Sequence, residues 1–420
     1  MGKWLKDFEL LKRLLNKSIE MIICIAGKNE IAIDTTIFIK KHFPGLKIVG
    51  IVTEADKGIN TCHRSFKSFL DVSDIKEITL EEAYTINELI FISLQFDKIL
   101  IPNKFTSKKL FNLHFSYLPS YKGMYPSVWP ILNFEEFGGV TLHEIDTGID
   151  TGDIIKQSKI RIDKQETVNT LYRKYISEGT YIVQQNFQTL FENTYTKIKQ
   201  SAVGSTYYSN KTIDYKNLVL DLNTTSAQID AQIRAFTYRQ YQLLNVYNTK
   251  IVRASFTDER SVKKAGQLIL EDEFAIKLST IDFNIILYKD KFVEFIEACK
   301  NDNINFVRKL LPYVNLEDKT NEGWTPLMVA CYNNSVSTIS YLLSNGADAN
   351  AINNNGTTVL MFAKDGFLKS GSLEALNMVL KYNTNIYQSD FFNKNIFDYL
   401  GLSNDKIVKY IKEYTYDKIS

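Results

Sequence analysis

Unbroken apolar runs, rather than alternating ones, mark the first part of the chain. Ile22–Gly27 (IICIAG) is apolar throughout, which is how a strand with both faces buried reads. Lys28-Asn29-Glu30 follows, and then a helix is expected from Ile31 to His42, punctuated by Pro44 and Gly45. Lys47–Val52 (KIVGIV) predicts a second buried strand, and Leu89–Leu94 and Lys98–Ile101 read the same way. Strands alternating with helices mean β-α-β units and a largely parallel sheet. Residues 21–200 are therefore expected to form an open α/β domain. Ligands of such sheets bind outside the carboxyl ends of the strands.

From about Ser201 the texture changes. Lys211–Leu222 suggests two short extended stretches, and Ala275–Leu278 and Asn284–Tyr288 read as short strands. Between them, Ser226–Phe236 (SAQIDAQIRAF) is an amphipathic helix with Ile229, Ile233 and Phe236 on one side and Ser226 as its N-cap. Residues 201–290 thus predict a small α+β appendage. The remainder, 291–420, repeats itself. Ala298-Cys299 and Ala330-Cys331 stand 32 residues apart, and Leu327–Ala330 (LMVA) and Leu360–Ala363 (LMFA) stand 33 apart. Leu310-Leu311, Leu342-Leu343 and Val379-Leu380 extend the register, the last step stretched to 37 by an insertion near Gly366–Ser372. Trp324-Thr325-Pro326-Leu327 and Leu342–Asp348 (LLSNGAD) resemble the ankyrin repeat. In that motif Thr-Pro-Leu opens the first helix and Asn-Gly-Ala-Asp closes the second. Gly346 falls just after the helix, where a left-handed residue is needed. The resemblance implies an all-α array with one repeat near consensus and degraded capping repeats around it.

Composition narrows the partners. Hydrophobic residues make up 45% and charged residues 23%, an ordinary globular balance. The 50 basic and 48 acidic residues leave a net charge of +2, without the basic excess or stripe of a dedicated nucleic-acid binder. The four cysteines, Cys24, Cys62, Cys299 and Cys331, form no C-x-x-C pair and no zinc spacing with histidine. No metal site is expected, and a reducing compartment is. The apolar runs are too short to span a bilayer, and no signal peptide is evident, so a cytoplasmic location is expected. Residues 1–20 place Trp4, Leu5, Phe8, Leu11, Leu15 and Ile19 at helical spacing, with Lys6, Arg13 and Lys17 between them. A basic amphipathic helix can lie on a membrane. The favoured reading is an N-terminal helical extension packed on the protein, or one ahead of a natural start at Met21.

Candidate chemistry concentrates in two stretches. There are four histidines, His42, His63, His114 and His143. In Leu110–Gly123 (LFNLHFSYLPSYKG), Phe111, Leu113 and Phe115 alternate with Asn112, His114 and Ser116. Alternate residues of a strand share a face, so an amide, an imidazole and a hydroxyl are expected side by side. Buried polar groups are costly unless satisfied or used. A lone histidine here is more often a hydrogen-bonded core residue. The second stretch, Gly139–Ile155 (GVTLHEIDTGIDTGDII), adds His143, Asp146, Asp150 and Asp153 among three glycines. Alone, it would also suit a simple turn or a cation loop.

Together the two stretches resemble the 10-formyltetrahydrofolate-dependent formyltransferases. Asn112-Leu113-His114 matches that family's Asn-x-His. Leu118-Pro119 with Tyr121-Lys122-Gly123 matches its Leu-Pro-x-Tyr-(Arg/Lys)-Gly, and Asp146–Gly152 matches its Asp-x-Gly-(Ile/Leu)-Asp-x-Gly. The resemblance covers residues 21 to about 290 and implies an open Rossmann-like formyltransferase domain. It implies a catalytic trio of Asn112, His114 and Asp150, and 10-formyltetrahydrofolate as co-substrate without a metal. His143, seven residues before Asp150, matches a histidine present in some branches and is expected on the cofactor side. Ile101, Pro102 and Asn103 stand where the family cradles the pterin, largely through backbone atoms. The chemistry agrees. Negative charge grows on the formyl oxygen as an amine attacks, and donors aimed there lower the barrier. Asn112 and His114 carry such donors, an imidazole can take the amine's proton near neutral pH, and Asp150 can orient His114 or hold a relay water. Ser116 lacks the surroundings of a nucleophilic serine.

The acceptor is read from finer detail. Lys122–Leu132 (KGMYPSVWPIL) and the Arg234-Ala235-Phe236 segment resemble the sugar-formylating branch, whose nucleotide is usually dTDP. The expected substrate contacts are Asn29, in a turn before the first helix, Lys122, Arg234, Tyr238 and Tyr241. Arginine pairs with diphosphate and tyrosine stacks on a base, although simple packing of the tyrosines is the alternative. An ankyrin tail on such an enzyme resembles those acting on dTDP-3-amino-3,6-dideoxyhexoses, an analogy at the level of fold. The product would feed a surface polysaccharide such as O-antigen. The array is expected to bind a protein or a second sugar nucleotide, and a homodimer is expected. Rival readings are a methionyl-tRNA formyltransferase, opposed by the near-neutral charge, and a formyl-folate hydrolase. The non-enzymatic rival is an ankyrin scaffold with an inactive transferase domain, opposed by the intact trio.

Overall fold

A computed structural model describes residues 21–382, 384–401 and 405–416, so the helix expected over residues 1–20 lies outside them. The chain divides into two compact units. The first runs to residue 59 and takes in residues 63–220 and 227–238. Its elements begin β1 (Ile22–Gly27), α1 (Asn29–His42), β2 (Lys47–Val52), α2 (Phe66–Val72), β3 (Lys76–Glu77), α3 (Leu80–Thr85), β4 (Leu89–Leu94) and β5 (Lys109–His114). They continue with β6 (Lys122–Gly123), α4 (Trp129–Leu132), β7 (Phe137–Glu144), β8 (Ile154–Arg161), α5 (Val168–Glu192), β9 (Tyr207–Tyr208) and α6 (Ser226–Phe236).

Seven strands form one sheet in the order β3-β2-β1-β4-β5-β7-β8. The first five pair parallel, and β7 and β8 close the edge antiparallel. On one face Cys24, Ala26, Val49, Ile51, Leu89 and Phe91 make a buried layer, as apolar runs in a sheet covered on both sides should. Helix α5 starts at a capping box, where Thr167 and Thr170 exchange bonds. It packs Leu171, Tyr175, Ile182, Val183 and Phe187 inward. Gly179 lets α5 approach β5, since a Cβ there would stand 2.5 Å from the Leu113 side chain. Gly27 similarly brings the ends of β1 and β4 together, because a Cβ would meet the Leu94 carbonyl oxygen at 2.1 Å. No helix among the described residues is long and apolar enough to cross a membrane.

Two segments expected to be extended form no strand. Lys98–Ile101 runs over the surface, with Ile99 77% exposed, into a single 3-10 turn at Pro102–Lys104. Pro102 has no N–H to donate to a ladder and restricts Ile101 before it. Lys211–Leu222 holds no strand either. Asp214 accepts from the Lys216 N–H and caps a 3-10 turn at Tyr215–Asn217, the local bond that makes Asp a turn former.

The second unit comprises residues 60–62 and 221–226 and everything described from residue 239 onward. The amphipathic helix of the expected 201–290 appendage therefore packs with the first unit, and its strands with the second. Those strands are β10 (Leu244–Val246), β11 (Thr249–Arg260), β12 (Leu268–Glu271), β13 (Ala275–Leu278) and β14 (Phe283–Lys289). They form an antiparallel sheet in the order β10-β11-β14-β13-β12. Helix pairs follow: α7 (Phe292–Lys300) with α8 (Ile304–Leu310), α9 (Pro326–Tyr332) with α10 (Val336–Ser344), and α11 (Val359–Ser370) with α12 (Glu374–Leu380). Short α13 (Ile396–Leu400) and α14 (Asp405–Tyr416) complete the array. Thr325 and Thr358 cap α9 and α11 at the same place in successive repeats. Gly346 is left-handed, with φ 92°. The 37-residue step arises because α11 runs on to Ser370 before Gly371, φ 74°, stops it. Trp324 packs edge-on against Tyr332 and Phe362.

Arg239 fastens the sheet to the array within this unit. Its guanidinium donates to Asp290, just past β14, at 2.7 Å and to Asp318, in the first finger, at 2.9 Å. It also lies over the Phe292 ring.

Candidate active site

Parallel pairing with β4 and antiparallel pairing with β7 fix β5 from both sides, and its end carries the two central side chains. In that register Asn112 stands directly opposite His143, and His114 opposite Thr141. Directly opposed residues share a face of the sheet, so Asn112 and His143 project together. The connection from β7 to β8 then folds back. Asp146 accepts from the Gly148 N–H at 3.0 Å and the Thr151 hydroxyl at 2.6 Å. Gln200 donates to the carbonyl oxygens of Asp150 and Gly152, both at 2.8 Å. Held this way, Asp150 takes the left-handed φ of 54° and turns its carboxylate toward β5.

The carboxylate meets four groups. Its Oδ2 accepts from the Gly123 N–H at 2.9 Å and lies 3.4 Å from His114 Nδ1. Its Oδ1 accepts from Asn112 Nδ2 at 3.2 Å and lies 3.6 Å from His143 Nε2. The His114, His143 and Asp150 side chains are 8%, 3% and 12% exposed. Burial pushes the Asp150 carboxyl up, but the His114 imidazole and the Gly123 N–H outweigh it. The net effect holds it well below the usual carboxylate range, so Asp150 is an anion at neutral pH.

Hydrogen-bond partners fix both imidazoles. His114 Nε2 lies 2.8 Å from the Tyr121 carbonyl oxygen. A carbonyl only accepts, so Nε2 carries a hydrogen in either charge state. The nitrogen that gains and loses a proton is Nδ1, the one facing Asp150. His143 is held the other way round. Its Nδ1 donates to the Glu144 carbonyl oxygen at 2.7 Å, which leaves Nε2 to accept from Asn112 Nδ2 at 3.1 Å. The arrangement suits acyl transfer: a base atom beside a fixed anion, with an amide at the same edge.

Asn29, left-handed at φ 62°, opens α1 and donates to the Tyr172 hydroxyl at 2.9 Å. Lys122 is buried in β6, whose backbone pairs with Tyr207. Arg234 donates to Asp230 at 2.7 Å and to the Glu166 carbonyl oxygen at 3.1 Å, so its guanidinium already serves the protein. Tyr238 is buried, and its hydroxyl bonds His63 Nε2 at 2.6 Å. Tyr241 is exposed and belongs to the second unit. Ile101 and Asn103 are exposed in the turn around Pro102. Ser116 donates to the Ser120 carbonyl oxygen. Sequence reasoning missed the buried chain Glu30–His63–Tyr238, in which Glu30 Oε2 meets His63 Nδ1 at 2.8 Å. The scarcity of histidines was the one available signal for it. Among the described residues no group of three or more His, Cys, Asp or Glu side chains could hold a metal ion.

Residues 49–186 match the formyl transferase family, and residues 295–390 match three copies of the ankyrin repeat. The chain is 41% identical to the sugar 3N-formyl transferase WlaRD, solved with dTDP and 5-N-formyl-THF. That match covers 64% of this chain and 98% of the other, at a TM-score of 0.59. It is likewise 41% identical to the N-formyltransferase of Helicobacter canadensis, solved with folinic acid and dTDP-3-aminofucose. There the cover is 64% of this chain and 100% of the other, at a TM-score of 0.59. Similarity to the methionyl-tRNA formyltransferase of Clostridioides difficile is lower, 26% over 276 residues, or 58% of this chain and 84% of that one.

Proposed function

This chain belongs to the sugar N-formyltransferases, and on that premise we propose that it carries a formyl group from 10-formyltetrahydrofolate to the amine of a dTDP-linked 3-amino-3,6-dideoxyhexose. The observation that carries the reading is the meeting of Asn112, His114 and Asp150 at the end of β5, in a chain 41% identical to two sugar N-formyltransferases over nearly their whole length. The donor set fits a formyl-folate. An amide, an imidazole and a carboxylate can polarise an acyl carbonyl and move one proton. The folate supplies an acyl carbon on a nitrogen leaving group.

The residues then divide the work. His114 Nδ1 takes the proton shed as the acceptor amine bonds to the formyl carbon, and returns one to the departing folate nitrogen. Asp150, fixed as an anion, steadies the imidazolium in between. Asn112 is the donor for the oxygen that gains charge. Both of its amide hydrogens are engaged here, one by His143 and one by Asp150. The longer bond, to Asp150, is the one it can exchange for the formyl oxygen, because Asp150 keeps Gly123 and His114. The amine position is the finer part of the proposal. Its support is that both relatives bind dTDP ligands and one is bound to a 3-amino sugar.

The test is a transfer assay with 10-formyltetrahydrofolate and dTDP-linked 3-amino and 4-amino 6-deoxyhexoses in parallel, read by mass. A one-formyl gain on the 3-amino sugar alone is expected. Gain on the 4-amino sugar alone would refute the regiochemistry, and loss of formyl to water without transfer would refute the transferase reading.

A further inference from the structure

We propose that His143 is a positioning residue for the transfer, acting through Asn112 rather than by touching either substrate. The inference rests on the transferase reading above. The Glu144 carbonyl oxygen can only accept, so it holds the hydrogen of neutral His143 on Nδ1 and turns the Nε2 lone pair to the site. That lone pair lies 3.1 Å from Asn112 Nδ2 and takes one of the two amide hydrogens. Asp150 Oδ1 takes the other.

The consequence is geometric. An asparagine side chain can present either its oxygen or its nitrogen at a given place, and its hydrogen bonds decide which. Two acceptors, Asp150 Oδ1 and His143 Nε2, both require nitrogen. With Nε2 occupied by one hydrogen, the amide can pivot only so far as to move its second hydrogen from Asp150 to a substrate oxygen. Without that anchor nothing limits the pivot: the amide can swing wholly onto the Asp150 carboxylate or turn its oxygen to the site, and preorganisation is lost. A protonated His143 would undo the arrangement in the same way, because two N–H groups would face each other at 3.1 Å. Local structure keeps the ring where it is. His143 is 2% exposed, its backbone is paired with Asn112 in the ladder, and the neighbouring Glu144 carboxylate is engaged by Tyr195 at 2.6 Å and Lys197 at 2.7 Å.

The experiment compares His143→Gln with His143→Leu in the full-length enzyme. Glutamine can place its Oε1 near the position of Nε2, so it restores an acceptor; leucine fills space without one. Expected is a fall in turnover of roughly 100-fold for leucine, the size of losing one oxyanion donor. Glutamine should recover to within about 5-fold of wild type, with KM for both substrates little changed in either variant. Equal turnover in the two variants, or a loss confined to folate KM, would overturn the proposal. A second measurement does not depend on activity: the nitrogen chemical shifts of His143 in the wild-type protein report its tautomer. A hydrogen on Nδ1 is expected, and one on Nε2 at neutral pH would overturn the proposal even if both variants failed to fold. Wild-type protein that transfers no formyl would instead strike the transferase reading, and the tautomer would still be decided.

Discussion

Each unit of this chain buries carboxylates against nitrogen donors, and the two do it with different partners. In the first, Asp150 faces two imidazoles, an amide and a backbone N–H. In the second, Asp290 and Asp318 face the guanidinium of Arg239. Burial pushes the Asp318 carboxyl up, and Arg239 only partly offsets it. A guanidinium never gives up its proton in a protein, so that cluster has one charge state and one use, to hold the sheet to the first ankyrin finger. An imidazole changes state near neutral pH. A fixed anion beside His114 therefore makes a place where a proton can be taken and returned. On the proposed reading, the same economy of buried charge serves attachment in one unit and chemistry in the other, and the identity of the cation decides which.

The contrast can be broken most severely at Asp150. Asp150→Asn should lower turnover by about 10³- to 10⁴-fold while circular dichroism shows the fold retained, as when the carboxylate behind a catalytic histidine is neutralised. His114→Asn should do the same, and near-native rates in both would end the assignment of the site. Next in size is Arg239→Ala. It leaves two buried carboxylates without their cation and should cost about 3–5 kcal/mol in denaturant unfolding. A loss below about 1 kcal/mol would mean that the cluster holds nothing. Asn112→Ala should lower turnover about 100-fold or more with modest change in KM. A loss confined to substrate affinity would remove Asn112 from the donor role.

The smallest effect is a pH dependence at Asp282 in the second unit. Burial raises its carboxyl, but the Ser226 N–H, the Thr280 hydroxyl and the Phe283 N–H overcome this and bring it down to about 2. A carboxyl that ionises more easily folded than unfolded favours folding above about pH 4. That contribution fades as the pH falls toward about 2. The midpoint of thermal unfolding should therefore be higher for wild type than for Asp282→Asn at pH 7, and the gap should narrow below about pH 4 and close only once the pH is well below about 2. A gap that persists there would show that the carboxylate's charge is not what matters.

Much of this was legible along the chain because the informative residues are near neighbours in sequence. The alternation through Phe111–Ser116 put Asn112 and His114 on one strand face, and β5 carries both. The glycines around Asp150 announced a tight loop, and the ankyrin register gave the repeat spacing and the Thr caps. Where local signals misled, a local reason won. Lys98–Ile101 was apolar enough for a strand, but Pro102 denies it a ladder. His143 was readable as a member of the site and not as the partner of Asn112. That depends on which residue of β7 lies opposite residue 112, a register that no single segment encodes.

By itself the sequence determined the class of the protein: a parallel α/β sheet from apolar runs, a repeat array from period and, from motif, the three residues proposed for acyl transfer. These are properties of short stretches, set by side-chain pattern and backbone preference. Tertiary structure alone decided which buried charges meet. Asp150 reaches back to Asn112 and His114 on β5. Glu30 reaches His63 and, through it, Tyr238. The physical reason is that a hydrogen bond or an ion pair depends on tenths of an ångström between groups far apart in the chain, and only the packed fold fixes those.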